Sequence, residues 1–535
     1  MRKDFFVAAL FVCVGFRAML GQQADPLPSS LSSSDRAQQS SDSGQSLGEL
    51  ARHARKDHSE ETKITADDAK KLFAAVDRLT TFASEDSGFP QHAPVKRQLL
   101  GPDDIEKFAR ERMAKDDYAD RFARAELTMK KIGLLPKNFD LKEFLVKVQR
   151  KDIAAFYDDE TKTISMVNTV PAQEQEAILA HELTHALQDQ NYDLHTWARP
   201  GNKDGKDDPL GRQDERSAAR RAVVEGQATV VMMDYLLAKA GRSLANTPGL
   251  IYRMEDPLVK FSVDTQMMHD APMILRESGT FPYRDGLIFE GELLQAGGKK
   301  MAFAEAFAHP PQTTHEVIQP RAYLNREKLP ALPFPDARSM LEDEYEVFDS
   351  GTVGELDVRA LLWQFGSRTL ADDLSKGWQG GAYMAFRKKS AAAASTSDLK
   401  LFYVSRWNSE QAAQRFAKFY VSAVSRRYQN ALPATGGSCS GSDCPLSSAE
   451  FTTEEGPVMV ELWKNNTVVV SESFDKETAA KLSEATRASG RKAEASAIPQ
   501  QELGMRLYDL PAFRKLQERM GEQILDDAAL TLASH

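Results

Sequence analysis

The sequence predicts an α+β protein in two parts. The first is a mainly helical region with a small edge sheet, and the second is a C-terminal α+β domain of repeated strand–strand–helix units. Three observations carry this. Amphipathic helical stretches dominate residues 63–345, the hairpin-like tract FYDDETKTI interrupts them, and beyond Gly351 short β-branched runs alternate with helical ones. The 535 residues, 41% hydrophobic and 27% charged, suit a globular chain of more than one domain. A net charge of -10 without a long Lys/Arg run argues against a nucleic-acid partner.

At the N-terminus, Arg2 and Lys3 precede an apolar run of 12 residues, Phe5 to Phe16, too short to span a bilayer comfortably. Small residues follow at Ala18, Gly21 and Ala24. This is the layout of a secretory signal peptide, assigned to 1–21, and it predicts a secreted or periplasmic protein. Residues 22–62, rich in Ser, Gln and Asp, read as a disordered linker. Cys13 departs with the signal. Cys439 and Cys444, in GGSCSGSDCPL, are expected to form one disulfide. No second apolar run reaches membrane length, so no stable membrane span is expected after signal removal.

The catalytic-type region is expected over 63–345. TADDAKKLFAAVDRLTTF reads as a helix with Thr65 as its N-cap, and GPDDIEKFARERMAKDDYADRFARAELTMKKIG as a long helix ending at Gly133. AAFYDDETKTISMVN reads as a hairpin with a polar turn, in which Tyr157 is a strand packing residue. Pro171 opens a helix that ends near Asn191. A polar loop over 199–213 leads to a second helix, Glu215 to Ala240, stopped by Gly241. The rest, to 345, reads as helical with Pro-rich loops, and FPYRDG and TTHEVI fall in loop-like tracts. In the C-terminal domain, 351–535, YMAFRKK, LKLFYVSRW, PVMVELW and NTVVVSES are strand-like. SEQAAQRFAKFYVSAVSRRY and KETAAKLSEATRAS are helix-like, which makes a weak internal repeat.

The chemistry centres on AILAHELTHALQDQ. At 3.6 residues per turn, Leu179, Leu183, Ala186 and Leu187 share a core stripe, and His181 and His185 share another side one turn apart. Two imidazoles at i, i+4 can reach one cation, and Glu182, about 100° round from His181, is placed to act as a general base. The bland alternative is a helix whose polar residues line its solvent face. A catalytic zinc (Zn2+) needs a third protein ligand. Asn191 stands where a third histidine would follow in one such pattern, which leaves His195 as a weaker candidate. Glu225 is the lone acid in the apolar stretch Ala222 to Met233, and burying it requires something positive nearby. An ion pair with Arg220 or Arg221 is its alternative role. Gly226, Ala228 and Thr229 are small enough to bring its helix close to the HELTH helix.

HELTH with a downstream Glu resembles the gluzincin branch of zincin metallopeptidases. More closely, the chain is similar to a poorly characterised group of predicted secreted bacterial proteins. The matching tracts are FYDDETKTI, HELTHALQDQNYDL, VVEGQA, FPYRDG and PPQTTHEVIQP, spanning roughly 95 to 385. The resemblance implies a zincin-like metallopeptidase domain whose hairpin supplies the strand bordering the cleft. It implies His181, His185 and Glu225 as metal ligands and Glu182 as catalytic base. One departure is Thr229, where better-known gluzincins often carry an acid that orients a histidine. That task falls to Thr229, Gln188, Asp189 or another group.

The expected activity is therefore hydrolysis of a peptide or protein substrate, with Tyr283 and His315 as candidate oxyanion donors. A zinc amidase acting on cell-wall material, or a catalytically silent zincin-fold binding protein, are the competing readings.

Overall fold

The computed structural model describes residues 66–100, 119–148, 155–167, 172–198, 213–252, 270–390, 395–434 and 444–491. The signal and linker expectations, Cys439 and the loop 199–212 lie outside these. Cys444 is disulfide-bonded. Among the described residues no helix is long and apolar enough to cross a membrane.

Helix α1 (Ala66–Ser87) leads into β1 (Lys96–Leu100), then α2 (Ala119–Ile132) and α3 (Leu141–Val148). Gly133, at φ 96°, ends α2 where the sequence placed the stop. The hairpin is β2 (Ala155–Asp158) and β3 (Thr163–Val167). It pairs antiparallel, Tyr157 opposite Ile164, and β1 adds in parallel on the far side of β3. The order β1-β3-β2 leaves β2 at the edge. The strand β1, KRQLL, has no clear alternation and was not evident from sequence.

The HELTH tract lies on α4 (Ala172–Tyr192), and the EGxA tract on α5 (Gln213–Ala238). Helix α4 is buried on both sides. Leu179, Leu183 and Ala186 pack with Tyr157, Ile164 and Val76, while Leu187 joins the main core. The predicted stripe is real, but the opposite face is not solvent: His181 and Glu182 are buried too. That removes the bland alternative of a polar solvent face.

Helix α6 (Met273–Lys300) corrects the sequence reading most strongly. FPYRDG is not a loop but the middle of this 28-residue helix. Pro282 cannot donate to the carbonyl one turn back, and Gly279 and Gly286 carry low helix propensity. Burial overrides both, since residues 277–287 are buried throughout. Gly286 serves close packing: a Cβ there would lie 2.4 Å from the Ala222 carbonyl oxygen, and one on Gly226 would lie 2.5 Å from the Gly286 oxygen. Gly226 itself faces α6, while α5 also packs against α4 as the sequence suggested. A left-handed Gly298 and a π-helical turn, Met301–Glu305, end α6.

Short helices α7 (Thr314–Ile318) and α8 (Ala337–Leu341) follow, and TTHEVI is therefore helical as well. The C-terminal part is a seven-stranded sheet. Its strands are β4 (Tyr345–Thr352), β5 (Trp378–Lys388), β6 (Leu399–Trp407), β7 (Leu432–Pro433), β8 (Ser447–Thr453), β9 (Gly456–Trp463) and β10 (Thr467–Glu472). Helices α9 (Glu355–Phe365), α10 (Glu410–Arg427) and α11 (Lys476–Arg491) accompany it. The order is β4-β5-β6-β10-β9-β8-β7, with antiparallel neighbours throughout. The expected repeat is present as β5-β6-α10 and β9-β10-α11, with β6 and β10 adjacent at the centre. Asn465 and Asn466, both left-handed, make the β9–β10 hairpin turn. Strand β4 begins at Tyr345, and the polar β8, SSAEFTT, was not anticipated.

One face of the sheet shares the main core with α5, α6, α9 and α10. The other is covered by α8 and α11, through Leu341, Phe386, Phe402 and Leu482. Helix α2 is held to the sheet by the buried Lys131–Glu455 ion pair at 2.8 Å.

Candidate metal centre

Three side-chain atoms from two helices converge. His185 Nε2 lies 3.0 Å from His181 Nε2. Glu225 Oε2 lies 3.2 Å from His181 Nε2 and 3.3 Å from His185 Nε2. Among the described residues this is the one group of His, Cys, Asp and Glu atoms close enough to share an ion. Zinc bonds of 2.0–2.1 Å at tetrahedral angles set ligand atoms roughly 3.3–3.4 Å apart. The observed triangle therefore fits a small tetrahedral cation with little movement. The two imidazole planes cross at 89°, so both lone pairs can aim at one point.

Two of the three side chains, His185 and Glu225, are oriented by a neighbour. His185 Nδ1 sits 2.8 Å from Gln188 Oε1. The Gln188 amide in turn donates to the Val224 carbonyl (3.0 Å) and to Gln227 Oε1 (3.1 Å). Gln227 donates to the carbonyls of Ala302 and Phe303 in the π-helical turn. This chain holds the proton on Nδ1, so the nitrogen freed when His185 becomes neutral is the inward Nε2. Gln188 thus takes the orienting role left open by Thr229, whose hydroxyl donates to the Glu225 backbone carbonyl. Asp189 serves elsewhere, accepting from the Tyr157 hydroxyl and from Lys162, each at 2.6 Å. Glu225 splits its oxygens. Oε1 meets Arg221 at 3.1 Å, and Oε2 faces the histidines. The ion-pair and ligand-like readings of Glu225 are therefore both met at once. Arg220 turns away, donating to the Trp197 carbonyl.

The electrostatics suit a cation. Burial alone would raise the Glu225 carboxyl, but His185 and Arg221 pull it well below the usual range, so it stays ionised. Burial and the His185 charge push His181 down, so its imidazole is neutral. Against burial, the charges of Glu225 and Glu182 hold His185 above its ordinary value. An anionic Glu225 with a neutral His181 is the protonation a metal requires, and a cation competes for the proton on His185.

Glu182 lies beside this cluster and is buried. Its Oε2 accepts the Tyr157 backbone N–H at 3.0 Å, which ties the edge strand β2 to α4. Tyr157 packs as expected, and this backbone contact is its further contribution. Tyr283 comes close: its ring stacks 6.2 Å from that of His181, and it is buried on α6.

His315 is placed elsewhere. Its Nδ1 is 2.7 Å from Glu355, and its neighbour Thr314 bonds Glu215. Glu215 and Glu225 are ten residues apart on α5, or roughly 15 Å at 1.5 Å per residue, so His315 belongs to a different cluster. At that distance His315 is not placed to donate to an oxyanion beside His181 and His185, contrary to the expectation from sequence. His195, on a short helical turn (Leu194–Trp197), is not in the converging group. Arg221 and Gln188 were readable as helical neighbours, at i−4 from Glu225 and i+3 from His185.

Residues 344–486, which include all seven strands of the C-terminal sheet, match a family described as a domain of unknown function, DUF8575. Comparison with curated proteins and with solved structures finds no match.

Proposed function

We propose that this chain is an exported zinc-dependent peptidase that hydrolyses peptide bonds with Glu182 as general base. The observation that carries this is the convergence of His181 Nε2, His185 Nε2 and Glu225 Oε2 within 3.3 Å, beside a buried Glu182. Export rests on the basic-then-apolar N-terminus. A zincin-like architecture is supported by a HELTH helix flanked by a hairpin whose edge strand bonds the glutamate.

When bound, zinc supplies a Lewis-acid contact to a carbonyl and a water pKa near 7. The protein's own groups do the rest. His181, His185 and Glu225 hold the ion, and Gln188 and Arg221 keep His185 and Glu225 turned inward. Glu182 takes a proton from the attacking water and returns it to the departing amine. Tyr283 is the proposed hydrogen-bond donor to the developing oxyanion. A peptide or protein is the expected substrate, lying along β2.

The test separates metal binding from turnover. Glu182→Gln is expected to retain one zinc per chain by elemental analysis, and to lose peptide hydrolysis by about 100- to 10,000-fold. A Glu182→Gln protein as active as the parent on quenched-fluorescent peptides ends the assignment.

A further inference from the structure

We infer a second ligand site, for a small molecule bearing a carboxylate or phosphate group, in a cleft at the outer edge of the C-terminal sheet. The cleft is about 420 Å³, and it brings Arg124 of α2 and Arg338 of α8 to face Arg387 of β5 and the adjacent Lys389. That volume is within the range of small-molecule sites, and the cleft shares no residue with the metal centre.

Three features set it apart from an ordinary charged surface. The first is Arg338. Its Nε and Nη2 are buried and have no hydrogen-bond partner. These two nitrogens form one edge of the guanidinium, the fork that receives both oxygens of a carboxylate or phosphate. A buried charged donor without an acceptor is unfavourable, so the fold holds this fork at a cost that a bound anion offsets.

The second is the local charge. Four cations line the cleft against two carboxylates. One of those, Glu346, is engaged by Arg387 across the β4–β5 pair. Glu342 follows Arg338 by one turn and makes no ion pair with it. The balance near the fork is therefore positive.

The third is the shape of β4, an edge strand of the sheet. Its register with β5 slips between Val347 and Asp349, so Phe348 is the extra residue of a bulge. Bulges bend a strand and re-aim a side chain. Phe348 borders the cleft, and Arg124 lies 6.0 Å from its ring centroid. The ligand this favours has an anionic group for Arg338, flanked by Arg124 and Lys389, and an apolar body against Val347 and Phe348. Phosphate and carboxylate share the two-oxygen chemistry, and separate probes distinguish them.

The experiment is calorimetric titration of the full chain at low ionic strength, with inorganic phosphate in one arm and 3-phenylpropionate in the other. One probe or both should saturate a single site. Arg338→Ala should weaken binding by about tenfold or more, and Arg338→Lys, which keeps the charge but loses the fork, by about threefold to tenfold. Arg415→Ala, at an exposed ion pair with Asp373, should change nothing. Chelator-treated protein should bind equally well, which keeps the result independent of the metal centre. The inference is overturned if neither probe saturates below about 10 mM, an affinity of only about 3 kcal/mol. It is equally overturned if Arg338→Ala and Arg338→Lys both bind as the parent does.

Discussion

Helix α5 carries two buried glutamates ten residues apart, and their surroundings turn them into different chemical species. Glu225 faces two imidazole nitrogens and Arg221, and it remains an anion. Glu215 faces Thr314, which donates from its backbone N–H at 2.8 Å and from its hydroxyl. Behind it stand Asp357 and Glu355, and burial together with Asp357 pushes the Glu215 carboxyl up to about 8. Each glutamate has a histidine nearby. Near Glu225 two ring nitrogens converge on a common point, the neutral one of His181 and that of His185, whose proton a cation would displace. Near Glu215, His315 is already engaged by Glu355 at 2.7 Å. Burial and composition are therefore poor guides to a metal site, and convergence of donor atoms on one point is the better one.

The strongest test of this contrast is metal retention. Glu225→Ala should weaken zinc binding by about 100-fold or more, beyond the 10- to 100-fold typical of losing an orienting partner. Glu215→Ala should leave zinc stoichiometry at the parental level. Equal occupancy in the two variants, measured by elemental analysis after dialysis against a weak chelator, would place the third ligand elsewhere.

The two ends of α5 also show what sequence could carry. His181 and His185 were legible because helical periodicity fixes i and i+4 on one side. Glu225 was legible because a lone acid in an apolar run needs a partner. Tyr283 was misplaced as a loop residue because Pro282, Gly279 and Gly286 are local breakers, and only the packing of α6 on α5 makes a helix of them. His315 was grouped with the histidine pair because its tract follows α4 and α5 in the chain, yet chain order does not encode distance across a fold. Strand β8 stayed hidden because its Ser and Thr residues show no apolar alternation. The cleft at Arg338 assembles from segments more than 200 residues apart, and no local pattern announces that.

A second test addresses the contact beside Glu225. Gly226→Ala places a Cβ 2.5 Å from the Gly286 carbonyl oxygen, a backbone atom that cannot rotate aside. The expected loss is about 1–3 kcal/mol in urea denaturation, the range for overpacking a close-packed interior. Gly249→Ala is the control, since nothing lies within 4 Å of its added Cβ. A Gly226→Ala protein as stable as Gly249→Ala would mean that α5 and α6 are not in backbone contact, and the setting of Glu225 would need redrawing.

The smallest effect is a pH slope at the other end of α5. A carboxyl lifted to about 8 in the fold, from an ordinary value near 4.5, keeps its proton where the unfolded chain has lost it. Its stabilisation is complete below about 4.5 and declines as pH rises towards 8, by at most about 1.4 kcal/mol per unit. Asp357, pushed to about 6 by burial, and Glu355, also raised by burial, titrate in the same cluster. His315, lifted by Glu355 against its burial, loses stabilisation in the same direction. The parental curve therefore mixes several groups, and the informative quantity is the difference from Glu215→Gln. That variant fixes the neutral form at every pH. Its stability relative to the parent should grow steadily from pH 5 to pH 8 in urea melts. Parallel decline of the two proteins would show that Glu215 is ionised in the fold, and the contrast with Glu225 would lose its physical basis.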